Sequence, residues 1–542
     1  MSVLYRRGLA SLAIFFLSLV FFTWGLSAQE IIGFESRFYL FALEMWRYGP
    51  TWFPTTYQQP YPDYPVTSTF LIYLFACLFG DMNKLVAVLP SALAASLTLV
   101  MTFCTGTLHS KRWGWYAVFF LLLTLAFLKS ARTIALDMYP ALVTVCCFYL
   151  VYSADKANKP ARAKWIYPLL VLGFLFRGPI GLVMPTGVIC VYYLLKLNFK
   201  KCFVSGLIAL VLLLICTGTL LALAYHVGGE AFLRDVLRMQ VLGRIDNSYL
   251  PVYFYFVDGM GNYALSFPLA ALVTGGMVYI FLYRRRSLPD AGFLLKLVGW
   301  MLVILIGMSI PGDKKTRYIL PMAPAIALIA AYPFAVLTRE KYFSLLRSII
   351  LRIFLYFPAL LMLATEAVFF YANNRHLDFG IAYLPVVTLL IAMQLLNFLV
   401  VFRYINREAC LTTWMIMTAA LGFVMTYIGV MEKIELSLNQ SRHFVAAVEE
   451  QRIQNRSRLV FYKEKPDGWP IKYLTQMPHA LPRGEQPVFI DDPQSLLEFT
   501  SPAFFVTRVA YFNALPTEIV SRFEIVAHDS MGHVQVVVFR RK

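Results

Sequence analysis

The sequence predicts an α-helical polytopic membrane protein that ends in a small α/β domain. Hydrophobic residues make up 59% of the chain and charged residues only 14%, whereas average soluble domains carry about 25% charged residues. Apolar runs of roughly 17–25 residues, the length that crosses the hydrocarbon core, recur between Leu9 and Val430. Short polar segments rich in lysine and arginine separate many of these runs, as in a chain that crosses a bilayer repeatedly.

Basic residues cluster in particular loops, and this clustering fixes the predicted topology. Cytoplasmic loops of membrane proteins carry an excess of lysine and arginine. The clusters are Arg6 and Arg7, Lys111 and Arg112, 156–164, 196–201, 284–286, 339–352, and Arg403 with Arg407. The net charge is +18, but it lies in these loops and forms no basic stripe interleaved with aromatic residues. The sequence therefore predicts no nucleic-acid partner.

Placing every basic cluster inside predicts thirteen transmembrane spans. The first span is read as a retained helix, and residues 66–80, too short to cross, as a helix lying in the interface. The predicted spans are 9–28, 85–108, 114–129, 134–152, 165–177, 179–195, 203–225, 262–283, 294–310, 318–337, 350–371, 381–402 and 411–430. This topology makes 29–84 the first outer loop. It puts the N-terminus in the cytoplasm and the C-terminal tail on the outer side of the membrane.

The composition changes after residue 431, where acidic and basic residues come into balance. A segment with helical spacing of apolar residues, 437–453, precedes short β-like runs at 458–462, 487–491, 503–507 and 534–539. We predict a transmembrane domain over 1–431 and a soluble α/β domain over 432–542. All eight cysteines lie at or before Cys410, so the tail has no disulfide framework.

Two carboxylates at the predicted outer ends of spans are candidate catalytic groups. Glu35 opens an amphipathic helix, so it is either an N-terminal carboxylate stabilised by the helix dipole or an active-site residue. Asp137, in "ARTIALDMYP", begins an apolar span, where an unpaired carboxylate is costly. It either pairs with Arg132 or serves the active site, and we favour the active site.

Cations on the outer side oppose the positive-inside rule, and they indicate an anionic ligand. Arg177 stands between two short spans in "FRGPIGL", where it either snorkels to headgroups or binds substrate. The turn "PGDKKTRY" (311–318) carries three cations and is either a solvated loop or part of a site. Arginine forks and lysine ammonium groups bind phosphate well. A phosphate at the membrane surface is therefore the predicted ligand.

These motifs resemble, in order, those of the polytopic GT-C glycosyltransferases. The similarity is to the bacterial 4-amino-4-deoxy-L-arabinose lipid A transferases and the protein O-mannosyltransferases, and it covers about residues 1–430. "FESRF" (34–38) stands for the family's acidic stretch after the first span, and "YPDYP" (61–65) for its second motif. "ARTIALDMYPAL", "GFLFRGPIGLVMP" (173–185) and "DKKTRYILPMAPAIAL" resemble three further family segments.

The resemblance implies sugar transfer from a polyprenyl-phosphate donor to a lipid A-type or protein acceptor, with inversion, at the outer face of the membrane. The carboxylates of Glu35, Asp63 and Asp137 would orient or deprotonate the acceptor. Arg177, Lys314, Lys315 and Arg317, with Arg244, would bind the lipid phosphate. The same motifs add Arg37, Tyr61, Tyr64, Arg132 and Tyr318 to the predicted substrate-binding set.

The sequence departs from the family pattern at three positions. Phe34 stands where the family has an aspartate, Tyr64 where it has a lysine, and Met138 where it has a proline. A remaining carboxylate could replace the missing acid, or the acceptor could be a phosphate that needs no strong base. A divalent metal stays open, with Asp63 at the position of a metal-site glutamate. The alternatives are an inactive relative and a transporter or flippase of a lipid-linked anion.

Overall fold

The computed structural model describes residues 3–63, 65–239, 250–285, 288–338, 340–404, 408–479, 481–499 and 501–542. The described chain is mostly helical. Its helices are α1 (Val3–Thr23), α2 (Glu35–Tyr48), α3 (Thr67–Phe79), α4 (Lys84–Thr107), α5 (Lys111–Leu122), α6 (Leu125–Ala131), α7 (Met138–Lys156), α8 (Ile166–Arg177), α9 (Pro179–Leu195), α10 (Phe199–Leu237), α11 (Phe254–Asn262), α12 (Ser266–Tyr279), α13 (Ala291–Ser309), α14 (Ala323–Ala335), α15 (Lys341–Leu355), α16 (Phe357–Asn374), α17 (Tyr383–Tyr404), α18 (Glu408–Thr426), α19 (Glu432–Ser437), α20 (Arg442–Gln454), α21 (Pro470–Gln476), α22 (Pro493–Glu498), α23 (Val509–Asn513) and α24 (Thr517–Val520). A π-helical segment, Tyr427–Met431, joins α18 to α19.

The helices before α19 confirm a multi-pass membrane protein. Within the described ranges, nine helices are long and apolar enough to cross a bilayer, or up to eleven if each of two bent pairs counts as one span. Each predicted span overlaps one of the observed helices. Because α8 and α9 are shorter than a full crossing, the count of thirteen stays a prediction. The interfacial position of α3 also stays a prediction.

The predicted break in the middle of 165–195 is present. Gly178 ends α8 with φ 66° and ψ −153°, and α9 starts at Pro179. A positive φ favours glycine, and proline suits the first turn of a helix. The break therefore leaves Arg177 at the last position of α8.

The described basic loops that contact one another lie at a single end of the helical bundle. Arg7 donates to the carbonyl of Thr107 at the end of α4, and Lys156 to the carbonyl of Leu108. His109 in the same loop contacts Asp290, 2.8 Å away. We call this the basic end. Helix α4 has 24 residues, so its first residue lies about 36 Å away, at what we call the sheet end.

The tail carries a mixed five-stranded sheet within the described residues. Its strands are β3 (Arg458–Tyr462), β4 (Val488–Ile490), β5 (Ala503–Arg508), β6 (Phe523–Met531) and β7 (Val534–Arg541). The strand order is β4-β3-β5-β7-β6, and β3 is parallel to β4 and β5 whereas β7 is antiparallel to its neighbours. A separate short hairpin, β1 (Thr55–Thr56) and β2 (Gln59–Pro60), lies in the first loop. The domain division at residue 431 stays a prediction, and it falls inside the helical run from α18 to α19.

The first loop and the tail pack together at the sheet end. Leu40 of α2 belongs to the apolar core beneath the tail sheet. Glu30 accepts hydrogen bonds from the backbone N–H groups of Ser441 and Arg442, which start α20. Gln476 donates to the carbonyl of Ile31 over 2.6 Å. A carboxylate at a helix N-terminus satisfies otherwise unpaired donors, so this contact fixes the tail on the loop.

Candidate active site

The candidate site lies at the sheet end, where four segments meet. Phe34 stands just before α2, Asp137 just before α7, and Arg177 at the end of α8. The turn between α13 and α14, 311–317, brings Lys315 and Arg317 beside them. Contacts among their side chains join these segments into a common polar centre.

Asp137 lies between two arginines. Its Oδ1 accepts a hydrogen bond from Nε of Arg177 at 2.8 Å, and its Oδ2 lies 3.2 Å from Nε of Arg317. Asp137 and Arg177 are each 3% exposed. A buried carboxylate with an adjacent guanidinium avoids the cost of an isolated charge. Two arginines against one aspartate leave this centre with a net positive charge.

Aromatic rings complete the centre. The ring centroid of Tyr318 lies 5.7 Å from the guanidinium carbon of Arg177 and 5.6 Å from that of Arg317. The ring of Phe34 lies 4.6 Å from the same atom of Arg317. Cations are attracted to ring faces at these distances. Phe34 therefore holds Arg317 in place without neutralising its charge.

Glu35 is buried away from this centre. It is 1% exposed, and its Oε1 lies 2.9 Å from Nζ of Lys84. The backbone N–H groups of Ile32 and Ile134 donate to its two oxygens. A carboxylate with this set of donors stabilises the junction of α2, α4 and the loop before α7. The contacts of Glu35 are therefore those of a residue that stabilises the fold.

Arg132 does not pair with Asp137, which corrects the alternative weighed from the sequence. Its Nε and Nη2 form a bidentate pair with Glu432, at 2.8 and 2.7 Å. It also donates to the carbonyls of Phe21, in the last turn of α1, and of Trp24. Arg132 is fully buried. The sequence alone could not identify Glu432 as the partner of Arg132, because 300 positions separate these residues.

The first of two cavities at the site lies between the helical bundle and the tail. It has a volume of about 330 Å³. Its wall carries four cations and one carboxylate. These are Arg37, Lys315, Arg317 and Lys472, with Asp467. Burial lowers the pKa of Lys472. We call this space the tail cavity.

The second cavity lies on the other side of Phe34, against the helices. Its volume is about 480 Å³, and it is lined by apolar residues of α6 and α11, including Leu125 and Phe254. Lys314, Lys315 and Arg317 line it as well. We call this space the helix cavity. Phe34, Lys315 and Arg317 line both cavities and form the wall that they share.

Lys314, Arg37 and Tyr61, which were also predicted to bind substrate, all have partners within the protein. Lys314 is buried in the wall of the helix cavity, and its Nζ donates to the carbonyls of Leu250 and Pro311. Arg37 donates to the hydroxyl of Tyr61 at 2.9 Å and to the carbonyl of Asp467 at 2.7 Å, so it joins the first loop to the tail.

Asp63, Tyr64 and Arg244 are the remaining predicted site residues. Asp63 is half-buried in the first loop and lines neither cavity. Tyr64 and Arg244 lie outside the described residues. Their predicted roles stay predictions.

Sequence reasoning missed four charged residues that line the cavities. Asp467 and Lys472 come from the tail, and Lys129 and Glu435 form an ion pair of 2.6 Å at the mouth of the helix cavity. Lys129 stands in the outer corner that precedes Arg132, where a lysine opposes the positive-inside rule. The unusual charge of this corner could have identified Lys129. Asp467 and Lys472 could not be found, because nothing in the sequence places the tail against the first loop.

The described residues contain no group of three histidine, cysteine, aspartate or glutamate side chains placed to hold a metal ion. The residues around Asp63 therefore do not fit the divalent metal that the resemblance left open. We derive no chemical step through a metal.

Comparison with known families finds partial matches in sequence. The family model of dolichyl-phosphate-mannose-protein mannosyltransferases matches residues 63–222. The undecaprenyl phosphate-alpha-4-amino-4-deoxy-L-arabinose arabinosyl transferase of Serratia proteamaculans is 25% identical over 308 residues, which cover 55% of this chain and 54% of that protein. An uncharacterised protein of Aquifex aeolicus is 28% identical over 200 residues, 34% of this chain and 41% of that protein. The chain thus matches about half the length of these relatives, or less.

Comparison with solved structures matches nearly the whole chain. Apo ArnT from Cupriavidus metallidurans superimposes with a TM-score of 0.72 at 17% identity, over 99% of this chain and 97% of that one. The same protein bound to undecaprenyl phosphate gives a TM-score of 0.71. At this identity the match establishes the fold. The chain has the ArnT-type GT-C fold, and its resemblance to the 4-amino-4-deoxy-L-arabinose transferase and protein mannosyltransferase group is confirmed.

Proposed function

We propose that this protein is a membrane glycosyltransferase that moves a sugar from a polyprenyl-phosphate donor to a lipid A-type acceptor that presents a phosphate. The observation that carries the proposal is the wall of Phe34, Lys315 and Arg317 between two cavities of different chemistry. A transferase must hold two substrates on either side of one reacting carbon. Two sequence relatives, named as undecaprenyl phosphate-alpha-4-amino-4-deoxy-L-arabinose arabinosyl transferases, support sugar transfer from a donor of this kind.

The donor fits the helix cavity. Its apolar lining from α6 and α11 would accept isoprenyl units, which water solvates poorly. Lys314, Lys315 and Arg317 line this cavity, and we assign them to the donor phosphate and its bond to the sugar. Fixed cations stabilise the charge that grows on a departing phosphate. The resemblance to a protein solved with undecaprenyl phosphate supports this assignment.

The acceptor fits the tail cavity. Arg37 and Lys472 would bind its phosphate, opposite the shared wall. A phosphate oxygen is already anionic, so it attacks without a general base. This suits a site in which Glu35 pairs with Lys84 and Asp137 with two arginines. A protein hydroxyl acceptor would need a base that these contacts do not leave available.

The reaction follows from the two positions. An acceptor oxygen attacks the anomeric carbon from the tail cavity, while the bond from that carbon to the donor phosphate oxygen breaks on the opposite side. The electron pair leaves with the polyprenyl phosphate, where Arg317 and the lysines balance it. Approach and departure on opposite faces invert the anomeric configuration. Asp137 keeps both arginines oriented through its two oxygens.

Sugar transfer by the purified protein tests the proposal. We would supply polyprenyl-phosphate sugars with a lipid A acceptor, in phosphorylated and dephosphorylated forms. We expect transfer to the phosphorylated acceptor only, and an Arg317→Gln rate lower by about 10²–10³, the usual effect of losing a transition-state donor. Arg375→Gln is the matched control, because Arg375 is exposed and lines neither cavity. Transfer to the dephosphorylated lipid at the same rate, or no transfer from any donor, would overturn the proposal.

We place the sheet end outside the bacterial inner membrane. The basic loops gather at the other end, which the positive-inside rule assigns to the cytoplasm. A cysteine introduced at exposed Ile525, in a variant without native cysteines, should react with a membrane-impermeant maleimide added from the periplasmic side. A cysteine at Lys341 should not react, and the reverse pattern would invert the topology.

A further inference from the structure

A third cavity lies in the outer surface of the bundle, away from the wall of the active site. It has a volume of about 340 Å³ and lies between α1, α17 and the π-helical segment Tyr427–Met431. Ile428 and Gly429 line it, whereas Tyr427 and Met431 of the same segment face the helix cavity. The two spaces therefore lie on different faces of one helical turn. We call the third space the lateral groove.

The lateral groove opens towards the bilayer. Val20 and Trp24 line it and are 52% and 67% exposed. Its walls are almost wholly apolar side chains. An exposed tryptophan at the end of a spanning helix marks the headgroup level. A groove with this lining and exposure would run from the hydrocarbon core to the membrane interface, the depth that a phospholipid occupies.

The interfacial end of the groove holds a buried amide with one unsatisfied atom. Gln29 is 7% exposed, and its Nε2 donates to Oε2 of Glu432 at 2.9 Å. A carboxylate only accepts hydrogen bonds when ionised, so this contact fixes which end of the amide faces Glu432. Oε1 of Gln29 accordingly points away, and it is buried with no hydrogen-bond partner in the described structure. Most buried acceptors in folded proteins have a partner, so a donor supplied by a bound molecule at this end would satisfy Oε1.

A cation stands at the same end. Lys433 lines the groove, is half-buried, and forms no ion pair with any described residue. The neighbouring charge of Glu432 is already balanced by the bidentate contact with Arg132. The end of the groove therefore carries a net positive charge beside a hydrogen-bond acceptor.

We infer that the lateral groove binds one anionic glycerophospholipid with a hydroxyl in its headgroup, of the phosphatidylglycerol type. An acyl chain fills the apolar part, the phosphate pairs with Lys433, and a headgroup hydroxyl donates to Oε1 of Gln29. Phosphatidylcholine carries a quaternary ammonium that offsets the charge of its phosphate beside Lys433, and it has no hydrogen-bond donor. Phosphatidylethanolamine offers a donor but no net charge. The groove is separate from the proposed donor and acceptor cavities, so this inference does not depend on the proposed reaction.

Native mass spectrometry of the purified full chain, with equal amounts of phosphatidylglycerol, phosphatidylethanolamine and phosphatidylcholine, tests the inference. We expect one phosphatidylglycerol to be retained, with an affinity about tenfold above that for phosphatidylcholine, as one charge-assisted contact would give. Lys433→Gln should remove that preference. Lys341→Gln, which changes an exposed lysine near the basic end, should leave it intact.

A second variant separates binding from folding. Leu389→Trp fills the groove from α17 without touching its polar end, so it should exclude the lipid while the protein keeps its thermal stability in detergent. Equal retention of the three lipids would overturn the inference. A preference for phosphatidylethanolamine, or phosphatidylglycerol binding unchanged in both variants, would also overturn it.

Discussion

Phe34 changes the charge of the candidate site while its ring still contacts Arg317. Its ring covers the guanidinium of Arg317, at a position where the related enzymes are expected to have a carboxylate. An aromatic face orients a cation but supplies no formal negative charge. Arg317 therefore keeps its charge for a ligand on either side of the shared wall.

A substitution at this position should weaken anion binding. Phe34→Asp would place a carboxylate beside Arg317, where it competes with a phosphate for the same guanidinium. We expect the Kd for polyprenyl phosphate, measured by isothermal titration in detergent, to rise about tenfold. Phe34→Leu is the control, because it removes the ring and adds no charge. Tighter binding by Phe34→Asp would show that Arg317 does not contact the ligand.

Glu35 should prove to be a stability residue. Glu35→Gln leaves the buried ammonium of Lys84 uncompensated, which costs about 3–5 kcal/mol, so the melting temperature should fall sharply. The double variant Glu35→Gln/Lys84→Met should recover much of that loss, because no charge stays buried. If Glu35→Gln melts normally and only transfer is lost, Glu35 has a catalytic role instead.

Lys472 should make acceptor binding depend on pH. Burial lowers its pKa, so its charge is lost at a lower pH than that of an ordinary lysine. We expect the KM for the phosphorylated acceptor to rise as pH rises through this lowered pKa. Lys472→Arg stays charged and should give a flatter profile. Identical profiles for the two proteins would exclude Lys472 from the acceptor site.

At the scale of elements, glycines allow α8 and α9 to pack in direct backbone contact. A Cβ added to Gly173 would lie 2.2 Å from the carbonyl oxygen of Gly181, and one added to Gly181 would lie 2.0 Å from that of Gly173. Such distances are impossible without moving a helix. This close packing positions Arg177, at the end of α8, beside Asp137.

Gly173→Ala should therefore separate α8 from α9. We expect a loss of about 1–3 kcal/mol, typical of overpacking, and lower transfer because Arg177 moves. The measurement is thermal unfolding beside the transfer assay. Gly187→Ala in α9 is the matched control, since its Cβ would meet only Val303 Cγ2, at 3.6 Å. Equal stability of the two variants would contradict the packing argument.

The sequence predicted elements better than contacts. Strands β3, β4, β5 and β7 were found, because each contains a continuous or nearly continuous apolar run. Strand β6 was not predicted, because its outer face is polar and a bulge between Ile525 and Ala527 breaks the alternation. Asp137 and Arg177 were identified as unusual charges. Their pairing, and that of Arg132 with Glu432, depends on contacts between distant segments and could not be predicted.

At the scale of the whole molecule, the tail cavity exists only while the tail packs on the first loop. Leu40 is 3% exposed and inserts into the core beneath the tail sheet. The contact between Arg37 and the carbonyl of Asp467 closes the cavity from the side. The charged groups of the candidate site lie at this end of the bundle, whereas a transporter is expected to hold its substrate near the membrane midplane.

Leu40→Asp should detach the tail while the helices stay folded. A buried carboxylate in an apolar core has no partner and is strongly unfavourable. We expect faster proteolysis of the tail, by about tenfold or more, together with loss of acceptor binding. Donor binding should persist. Ile525→Asp is the control, because Ile525 is 56% exposed on β6 of the same sheet. Loss of both binding activities would mean that the helical bundle needs the tail.

The contact between Arg37 and Asp467 also bears on how the protein is made. Its two ends are separated by 430 positions, and ribosomes add roughly 5–20 residues each second. The ribosome therefore completes α2 roughly 20–90 s before it adds the part of the tail that packs on α2, at these rates. During that interval Leu40, which is buried in the folded protein, is without the tail core that covers it.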